Sequence, residues 1–308
     1  MLSANQVESF YRDGYLLIEN GVSDADLQPV INEYNRVVDD LARDLKKKGK
    51  IECCHEAEGF ETRLARLCAD DEATYRDADQ LMDINKVIGK STFEFLRNDN
   101  LLDLVEGILG PEITCSPIQH VRCKLPSSLW DGASSYTAPW HQDAQVHTEE
   151  ADDCFILTVW IPLVDTDERN GCLEIIPEVH RTEKVLWSEG FGISEENMPA
   201  RKSLSLPMTK GDVLFLHKLT PHGSGPNGAE EIRWSLDLRY QITGSPSGRP
   251  WYPDFIARSR SNPSSELKDS SEWQAKWKQA VKNPQKELIR KMTQRDRPNT
   301  PVKQIIRL

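Results

Sequence analysis

The pattern of the chain changes near residue 112, and this change limits the possible folds more than any other feature of the sequence. Before it, apolar residues recur at three- and four-residue steps; after it, short β-rich runs alternate with turns rich in Gly, Pro, Asn and Asp. Short strands separated by turns favour a sandwich or barrel over parallel βαβ units. The predicted strands are Ile113–Lys124, Ala138–Asp143, Cys154–Val164, Cys172–Ile176, Asp212–His217 and Ile232–Ile242, and the predicted turns include 165–171, 207–211 and 222–228.

The first 111 residues are predicted to be mainly helical. Ser3 and Gln6 form a capping-box signature, a short apolar strand follows Gly14, and a long helix is expected between Ser23 and Gly49. Weaker helical patterns cover 56–70 and 80–109, and Trp273, Trp277 and Val281 mark one face of a late helix. We predict one domain, 1–308: a helical layer (1–111), a double-stranded β-helix (jelly-roll, cupin-like) core (112–245) and a basic, partly helical C-terminal extension (246–308).

Charge and hydropathy exclude several classes of partner. With 38 basic and 49 acidic residues the net charge is −11, which disfavours nucleic acid as a partner. No apolar run approaches the roughly 18 residues needed to span a bilayer, and the N-terminus lacks the pattern of a signal peptide. Seven cysteines, an odd number, indicate reduced thiols rather than a disulfide framework. We therefore expect a cytoplasmic protein that acts on a small molecule.

Trp140-His141-Gln142-Asp143 holds the first candidate metal ligands. If this segment is extended, residues two apart point the same way, so His141 and Asp143 present an imidazole and a carboxylate to one point. Such a pair suits a divalent first-row metal, and one further histidine completes a facial set of ligands. His147-Thr148-Glu149 has the same His-x-acid form, so the motif is weak evidence alone.

A second segment supplies the third candidate ligand. Gly211–His217 is predicted to be a turn and a buried strand, and His222 follows it directly. The run from Ile232 to Tyr240 alternates strictly, with its apolar side chains expected to pack on the helical layer. Its polar side chains, Arg233 among them, either line a barrel interior or meet water. Inside a barrel, an arginine needs a carboxylate or phosphate partner.

Taken together, His141-x-Asp143, the Gly211-Asp212 turn, His222-Gly223-Ser224 and Arg233 resemble the phytanoyl-CoA dioxygenase family of Fe(II)/2-oxoglutarate oxygenases. The segments Val159–Leu163 and Asn170–Pro177, His180, and the opening Asp13-Gly14-Tyr15 resemble the same family. The resemblance covers about residues 5–245 and depends on the whole spaced set rather than on any one motif.

The resemblance implies a site and a reaction. His141, Asp143 and His222 would bind Fe(II), and Arg233 would hold the distal carboxylate of 2-oxoglutarate beside the Ser224 hydroxyl. Gln119 corresponds to another position that contacts the cosubstrate. With O2, such an enzyme oxidises a C–H bond of a small metabolite or natural-product intermediate and releases succinate and CO2. Because position 143 is Asp rather than a small residue, hydroxylation or a related oxidation is favoured over halogenation.

Other residues are candidates for the substrate pocket. Trp140, Thr158 and Trp160 either line it or, for Trp160, belong to the core. His147, followed by four acidic residues within six positions, lies either at the mouth of the site or in a solvated acidic loop. The segment 126–139, which contains Trp130, has the composition of a lid or of an inert surface loop.

Two alternatives from other classes remain open on the residues alone. One is a cupin-like zinc or manganese enzyme that works without 2-oxoglutarate; the other is a jelly-roll binding module without catalysis. Arg233 and Ser224 argue against the first, since such chemistry needs no carboxylate clamp, and the intact triad argues against the second. The identity of the substrate and the oligomeric state are beyond the sequence.

Overall fold

The computed structural model describes residues 1–129, 138–188 and 191–285. The α-helices in these ranges are α1 (Ala4–Asp13), α2 (Asp24–Lys47), α3 (Arg63–Asp70), α4 (Glu72–Met82), α5 (Ile84–Val87), α6 (Lys90–Leu96), α7 (Asp99–Leu109) and α8 (Ser270–Lys282). The strands are β1 (Tyr15–Ile18), β2 (Glu112–Cys115), β3 (His120–Lys124), β4 (Ala138–His141), β5 (Ile156–Pro162), β6 (Leu173–Ile175), β7 (Leu204–Leu206), β8 (Val213–His217), β9 (His222–Ser224), β10 (Arg233–Ile242) and β11 (Phe255–Ser259). None of the described helices is long and apolar enough to cross a membrane.

Two antiparallel sheets form the predicted jelly-roll core. The larger has the order β1-β8-β5-β10-β2-β11, with β3 also paired to β10, and the smaller has the order β4-β9-β6-β7. The larger sheet takes β1 from the predicted helical layer and β11 from the predicted C-terminal extension. Because strands from all three predicted segments share one sheet, we propose that the chain folds as one domain.

Apolar side chains fill both sides of the larger sheet. Between the sheets, Trp160, Leu214 and Leu216 pack with Leu173 and Ile175 of the smaller sheet. On the outer side, alternate residues of β8 and β10 join the helices in one large core. A strand that is buried on both faces has a continuous apolar sequence, and Val213–Leu216 of β8 is an example.

The apolar face of β10 packs against the helical layer, as its alternation predicts. Trp234 stacks on Phe60 with ring centroids 4.8 Å apart, and its Nε1 donates to the Phe60 carbonyl oxygen at 3.0 Å. The Tyr240 hydroxyl donates to the Leu96 carbonyl oxygen at 3.0 Å. The polar face of the same strand is also buried: Arg233 and Arg239 are 5% and 3% exposed. The interior interpretation of that face is therefore confirmed.

The helix signals in the first 50 residues are confirmed. Ser3 and Gln6 make the capping box of α1, and Ser23 with Asp26 makes that of α2. Gly14 ends α1 with φ +81°, a conformation that favours glycine. A β-carbon there would also lie 2.3 Å from Nδ1 of His180, so this turn is closely packed.

Several predicted boundaries were wrong. The segment Ile113–Lys124 is divided into β2 and β3, and Ala138–Asp143 ends as a strand at His141. His222–Ser224, predicted as the start of a turn, is β9, because β4 and β6 pair with it from both sides. The strands β7 and β11 were not predicted. In α8, Trp273 and Trp277 are buried, but Val281 is 40% exposed.

Candidate active site

Three side chains from two neighbouring strands and a turn meet at one end of the core. His141 ends β4, His222 begins β9, and the two residues are directly paired across these strands. Asp143 begins a 3₁₀ turn, and His222 Nε2 lies 4.0 Å from its Oδ1. One ligand atom from each of the three residues lies within 4.8 Å of the others. Within the described ranges, this is the one cluster of three or more His, Cys, Asp and Glu side chains suited to a metal ion.

Gln142 explains why His141 and Asp143 face the same way. Its backbone remains extended (φ −119°, ψ 138°), so its own side chain points to the opposite side. There it is fully buried, and its Nε2 donates to the Leu219 carbonyl oxygen at 2.7 Å. Its Oε1 accepts from the Leu186 backbone N–H at 2.6 Å. The residue between the two candidate ligands therefore anchors the segment that carries them.

Backbone carbonyl groups fix the tautomer of both histidines. Nδ1 of His141 lies 2.7 Å from the Pro139 carbonyl oxygen, and Nδ1 of His222 lies 3.0 Å from that of Thr220. Since a carbonyl oxygen only accepts, each Nδ1 carries the hydrogen and each Nε2 keeps its lone pair for a metal. Burial, and then the proximity of His222, lowers the pKa of His141 to about 4, so this ring is neutral at physiological pH.

Both oxygens of Asp143 accept hydrogen bonds. Arg239 Nη2 donates to Oδ1 at 2.6 Å, and the Thr158 hydroxyl donates to Oδ2. Burial by itself would raise the pKa of Asp143, but the charge of Arg239, together with the hydrogen bond from Thr158, holds it well below its usual value. The carboxylate is thus anionic and held in one orientation, as a metal ligand requires.

A cavity of about 390 Å³ is lined by His141 and His222 of this cluster and by residues of both sheets. Arg233, which also lines it, is 5% exposed and has its guanidinium carbon 5.4 Å from the centre of the Trp160 ring. In the described part of the chain, Nε and Nη1 of Arg233 have no hydrogen-bond partner. Burial lowers the pKa of Arg233 to about 10, which leaves it charged. A buried guanidinium with free donors fits a carboxylate ligand.

Ser224 lies in the same cavity wall as Arg233, as the resemblance implies. It is 5% exposed, and its Oγ accepts a hydrogen bond of 2.6 Å from Nζ of Lys124. Because the lysine donates to this oxygen, the serine hydroxyl hydrogen is left to donate to a ligand in the cavity.

Five polar side chains, four of them charged, also line the cavity. Arg76, Asp79 and Gln80 belong to α4, Arg122 to β3 and Asp237 to β10. Arg122 pairs with Asp79 at 2.5 Å, and Asp237 pairs with Arg239 at 3.3 Å. We call these five residues the polar rim.

Of the remaining residues predicted for the substrate pocket, some line the cavity and others do not. Thr158 and Trp160 line the cavity, where they contact Asp143 and Arg233 respectively. Trp140 and His147 are not among the lining residues; His147 is 1% exposed, so it is not part of a solvated loop. Trp130 and most of the predicted lid lie outside the described residues.

Gln119 is also absent from the cavity wall. It precedes β3, and its Nε2 donates to the carbonyl oxygens of Ser116 and Arg239, both at 2.7 Å. Its side chain therefore supports the backbone of β10 behind the site.

Sequence reasoning missed Arg239 and Lys124. A signal existed for Arg239, because it shares the polar face of β10 with Arg233. Lys124 is the last residue of β3 and pairs directly with Arg233. Only the pairing of strands distant in the chain shows that Lys124 joins the site.

The side chains of His141, Asp143 and His222 are of the types that bind a divalent iron ion. Two imidazoles and one carboxylate are the ligands of a mononuclear non-haem iron centre with open positions. A jelly-roll core in which this cluster and an unpartnered buried arginine share one cavity is typical of a metal-dependent oxygenase with a 2-oxo acid cosubstrate.

The family model for phytanoyl-CoA dioxygenase (PhyH) matches residues 10–235, and the chain belongs to this family. It is an Fe(II)/2-oxoglutarate-dependent dioxygenase. Family membership decides against both alternatives, the zinc or manganese cupin-like enzyme and the binding module.

Two curated relatives and two solved structures are similar to this chain. Human peroxisomal phytanoyl-CoA dioxygenase is 26% identical over 256 residues, covering 78% of this chain and 68% of the human protein. The ectoine dioxygenase of Bordetella parapertussis is 26% identical over 281 residues, covering 83% and 82%. The non-haem monooxygenase ThoJ superposes with a TM-score of 0.63 at 17% identity, covering 94% of this chain and all of ThoJ. EctD from S. alaskensis, solved with 2-oxoglutarate and 5-hydroxyectoine, superposes with a TM-score of 0.55 at 19% identity. The match covers 87% of this chain and 86% of EctD. The likeness to these two structures shows the fold.

Proposed function

We propose that this dioxygenase hydroxylates a C–H bond of a small polar metabolite, with His141, Asp143 and His222 as the iron ligands. One observation carries the proposal: His141 and His222 of the metal-binding cluster and the unpartnered guanidinium of Arg233 line the same cavity. A 2-oxo acid bound to a metal at the cluster would direct its distal carboxylate toward Arg233.

Each protein group has a task in this proposal. The two Nε2 lone pairs and the fixed carboxylate of Asp143 hold the metal, and Arg233 with Ser224 binds the distal carboxylate of 2-oxoglutarate. When bound, iron and 2-oxoglutarate supply the oxidation: substrate C–H, O2 and 2-oxoglutarate give C–OH, succinate and CO2. The apolar wall of Trp160, Leu173 and Leu216 excludes water from the space between.

The size and lining of the cavity support a small polar substrate rather than an acyl-CoA. Its volume of about 390 Å³ is near the lower end of the range of ligand pockets, roughly 300–1,000 Å³. The cosubstrate would occupy part of it, and the polar rim contributes to the wall around the remaining space. Charged side chains in this wall favour a substrate with polar groups over a long alkyl chain.

Anaerobic reconstitution with Fe(II) tests the proposal without the substrate. We expect 2-oxoglutarate to produce a weak visible metal-to-ligand charge-transfer band that His222→Ala abolishes. The control His55→Ala removes a histidine that pairs with Asp70 outside the cavity, and should keep the band. Iron binding without the band would refute the cosubstrate assignment, and a band that persists in His222→Ala would refute the ligand set. Succinate release can then be used to screen small polar metabolites.

A further inference from the structure

Two buried cations lie side by side in the wall of the cavity. Lys124 on β3 and Arg233 on β10 are directly paired, and they are 4% and 5% exposed. In an antiparallel pair such residues have β-carbons about 4.5–5.5 Å apart, and like charges in this arrangement destabilise the sheet. Both side chains line the cavity.

Neither cation has an anionic partner within the described ranges. Lys124 Nζ donates to Ser224 Oγ at 2.6 Å and to the Gly225 carbonyl oxygen, and both acceptors are uncharged. Arg233 has the Trp160 ring beside it and two unpartnered nitrogens. Burial, and then the charge of Arg233, lowers the pKa of Lys124 to about 7. Two buried cations that form no ion pair are unfavourable unless an anion completes the site.

The surroundings hold the lysine toward the cavity. Gly171, on its other side, has φ +74°, and a β-carbon there would lie 3.1 Å from Lys124 Nζ and 2.7 Å from the Gly225 carbonyl oxygen. Any larger residue would displace the ammonium group or the carbonyl that orients it.

We propose that Lys124 is a second cation for the distal carboxylate of the cosubstrate, and that with Arg233 it selects 2-oxo acids that carry such a carboxylate. The inference rests on the proposed function, since it takes the part of the cavity beside Arg233 as the site of the distal carboxylate of 2-oxoglutarate. Ser224 links the two cations to the ligand: its oxygen accepts from Lys124, and its hydrogen is free to donate to the carboxylate. Lys124 is a binding residue for the cosubstrate and takes no part in the oxidation.

The test compares two 2-oxo acids in the anaerobic iron-loaded protein. Dissociation constants for 2-oxoglutarate and for 2-oxobutyrate, which lacks the distal carboxylate, are measured from the charge-transfer band. In Lys124→Met, 2-oxoglutarate should bind about 10- to 100-fold more weakly, the effect of losing one hydrogen bond to a charged group, while 2-oxobutyrate changes less than about threefold. Lys124→Gln, which keeps a donor for Ser224 without the charge, should show the same selective loss. The control is Lys210→Met, whose ammonium pairs with Asp24 outside the cavity.

The outcomes separate this inference from the proposed function. Unchanged 2-oxoglutarate affinity in folded Lys124→Met and Lys124→Gln overturns the inference alone. Equal weakening for both acids also overturns it, because it would show a general structural effect. Absence of the band in the unsubstituted protein overturns the proposed function, and the inference with it.

Discussion

Arg239 and Thr158 lie directly opposite each other on β10 and β5, and each donates a hydrogen bond to a different oxygen of Asp143. The register of two strands thus positions a carboxylate that belongs to neither of them. Arg239 is held in turn by Asp237, and its backbone by Gln119. The orientation of the proposed iron ligand is therefore set by the larger sheet, although its neighbours His141 and His222 belong to the smaller one.

Arg239→Met should weaken iron binding about 10- to 100-fold, the usual effect of removing a group that orients a metal ligand. Anaerobic equilibrium dialysis with Fe(II) measures the affinity directly. Arg239→Lys should recover part of it, since a lysine keeps the charge with a less directional donor. Arg63→Met is the control, because Arg63 pairs with Asp39 at 2.8 Å away from the cavity. Unaltered iron affinity in a folded Arg239→Met protein would contradict this role.

Arg233→Ala should affect the cosubstrate and spare the metal. We expect the dissociation constant for 2-oxoglutarate to rise about 100-fold, because charged hydrogen bonds contribute about 1.5–3 kcal/mol each. The iron affinity should stay within about threefold of the original, since Arg233 contacts none of the three ligands. The charge-transfer titration and iron dialysis give the two values. Unchanged 2-oxoglutarate binding would show that the guanidinium does not contact the cosubstrate.

Glu33 stabilises the helical layer from inside. This side chain on α2 accepts from the backbone N–H groups of Ser91 and Thr92 at 2.7 and 2.9 Å, and so caps α6. Glu33→Ala leaves these buried donors without a partner and should lower the free energy of unfolding by about 1–3 kcal/mol or more. Urea titration at pH 7.5 measures the change. Glu94→Ala, at an exposed position on α6, should change stability by less than about 0.5 kcal/mol.

The protein should lose stability as the pH falls below about 6.5. His217 and His180 have ring centroids 5.0 Å apart, and burial lowers the pKa of both. In the unfolded chain these two histidines take up protons near pH ~6.5, whereas in the folded protein they stay neutral. Each of them therefore lowers the free energy of unfolding by up to about 1.4 kcal/mol per pH unit below that value. Asp26, with a pKa lowered to about 2, adds a loss only at more acid pH.

Urea titrations between pH 7.5 and 5 measure this slope. In His217→Asn the slope should be smaller, because the asparagine keeps an acceptor for the Leu219 backbone N–H but does not titrate. An equal slope in the variant and the parent would show that His217 does not contribute.

The metal cluster could be predicted because its evidence lies within short stretches of chain. His141 and Asp143 share an extended segment, and His222 follows a recognisable buried strand. The helix starts at Ser3 and Ser23 were predictable for the same reason: a cap is a local interaction. The polar face of β10 was visible as an alternation, but its surroundings were not.

The parts that escaped prediction depend on pairing between distant segments. Phe255–Ser259 forms β11 because β2, more than 100 residues earlier, offers it an edge. Lys124 joins the site only through its pairing with Arg233. Local composition contains no information about such partners, and at His222–Ser224 it favoured a turn over the strand that two neighbours impose.

The hydrogen bonds from Nδ1 of His141 and of His222 to backbone carbonyl oxygens affect how the enzyme acquires its metal. The imidazoles are oriented by Pro139 and Thr220, and the carboxylate by Arg239, so the ligand set is assembled by folding rather than by the ion. Metal loading is then a separate, reversible event in an already folded protein, unlike the coupled folding of a zinc finger. A preformed set of two nitrogens and one oxygen binds nickel and copper more tightly than ferrous iron. Which metal occupies the purified enzyme will therefore reflect the supply of each ion during expression, and full activity will require exchange into iron under anaerobic conditions.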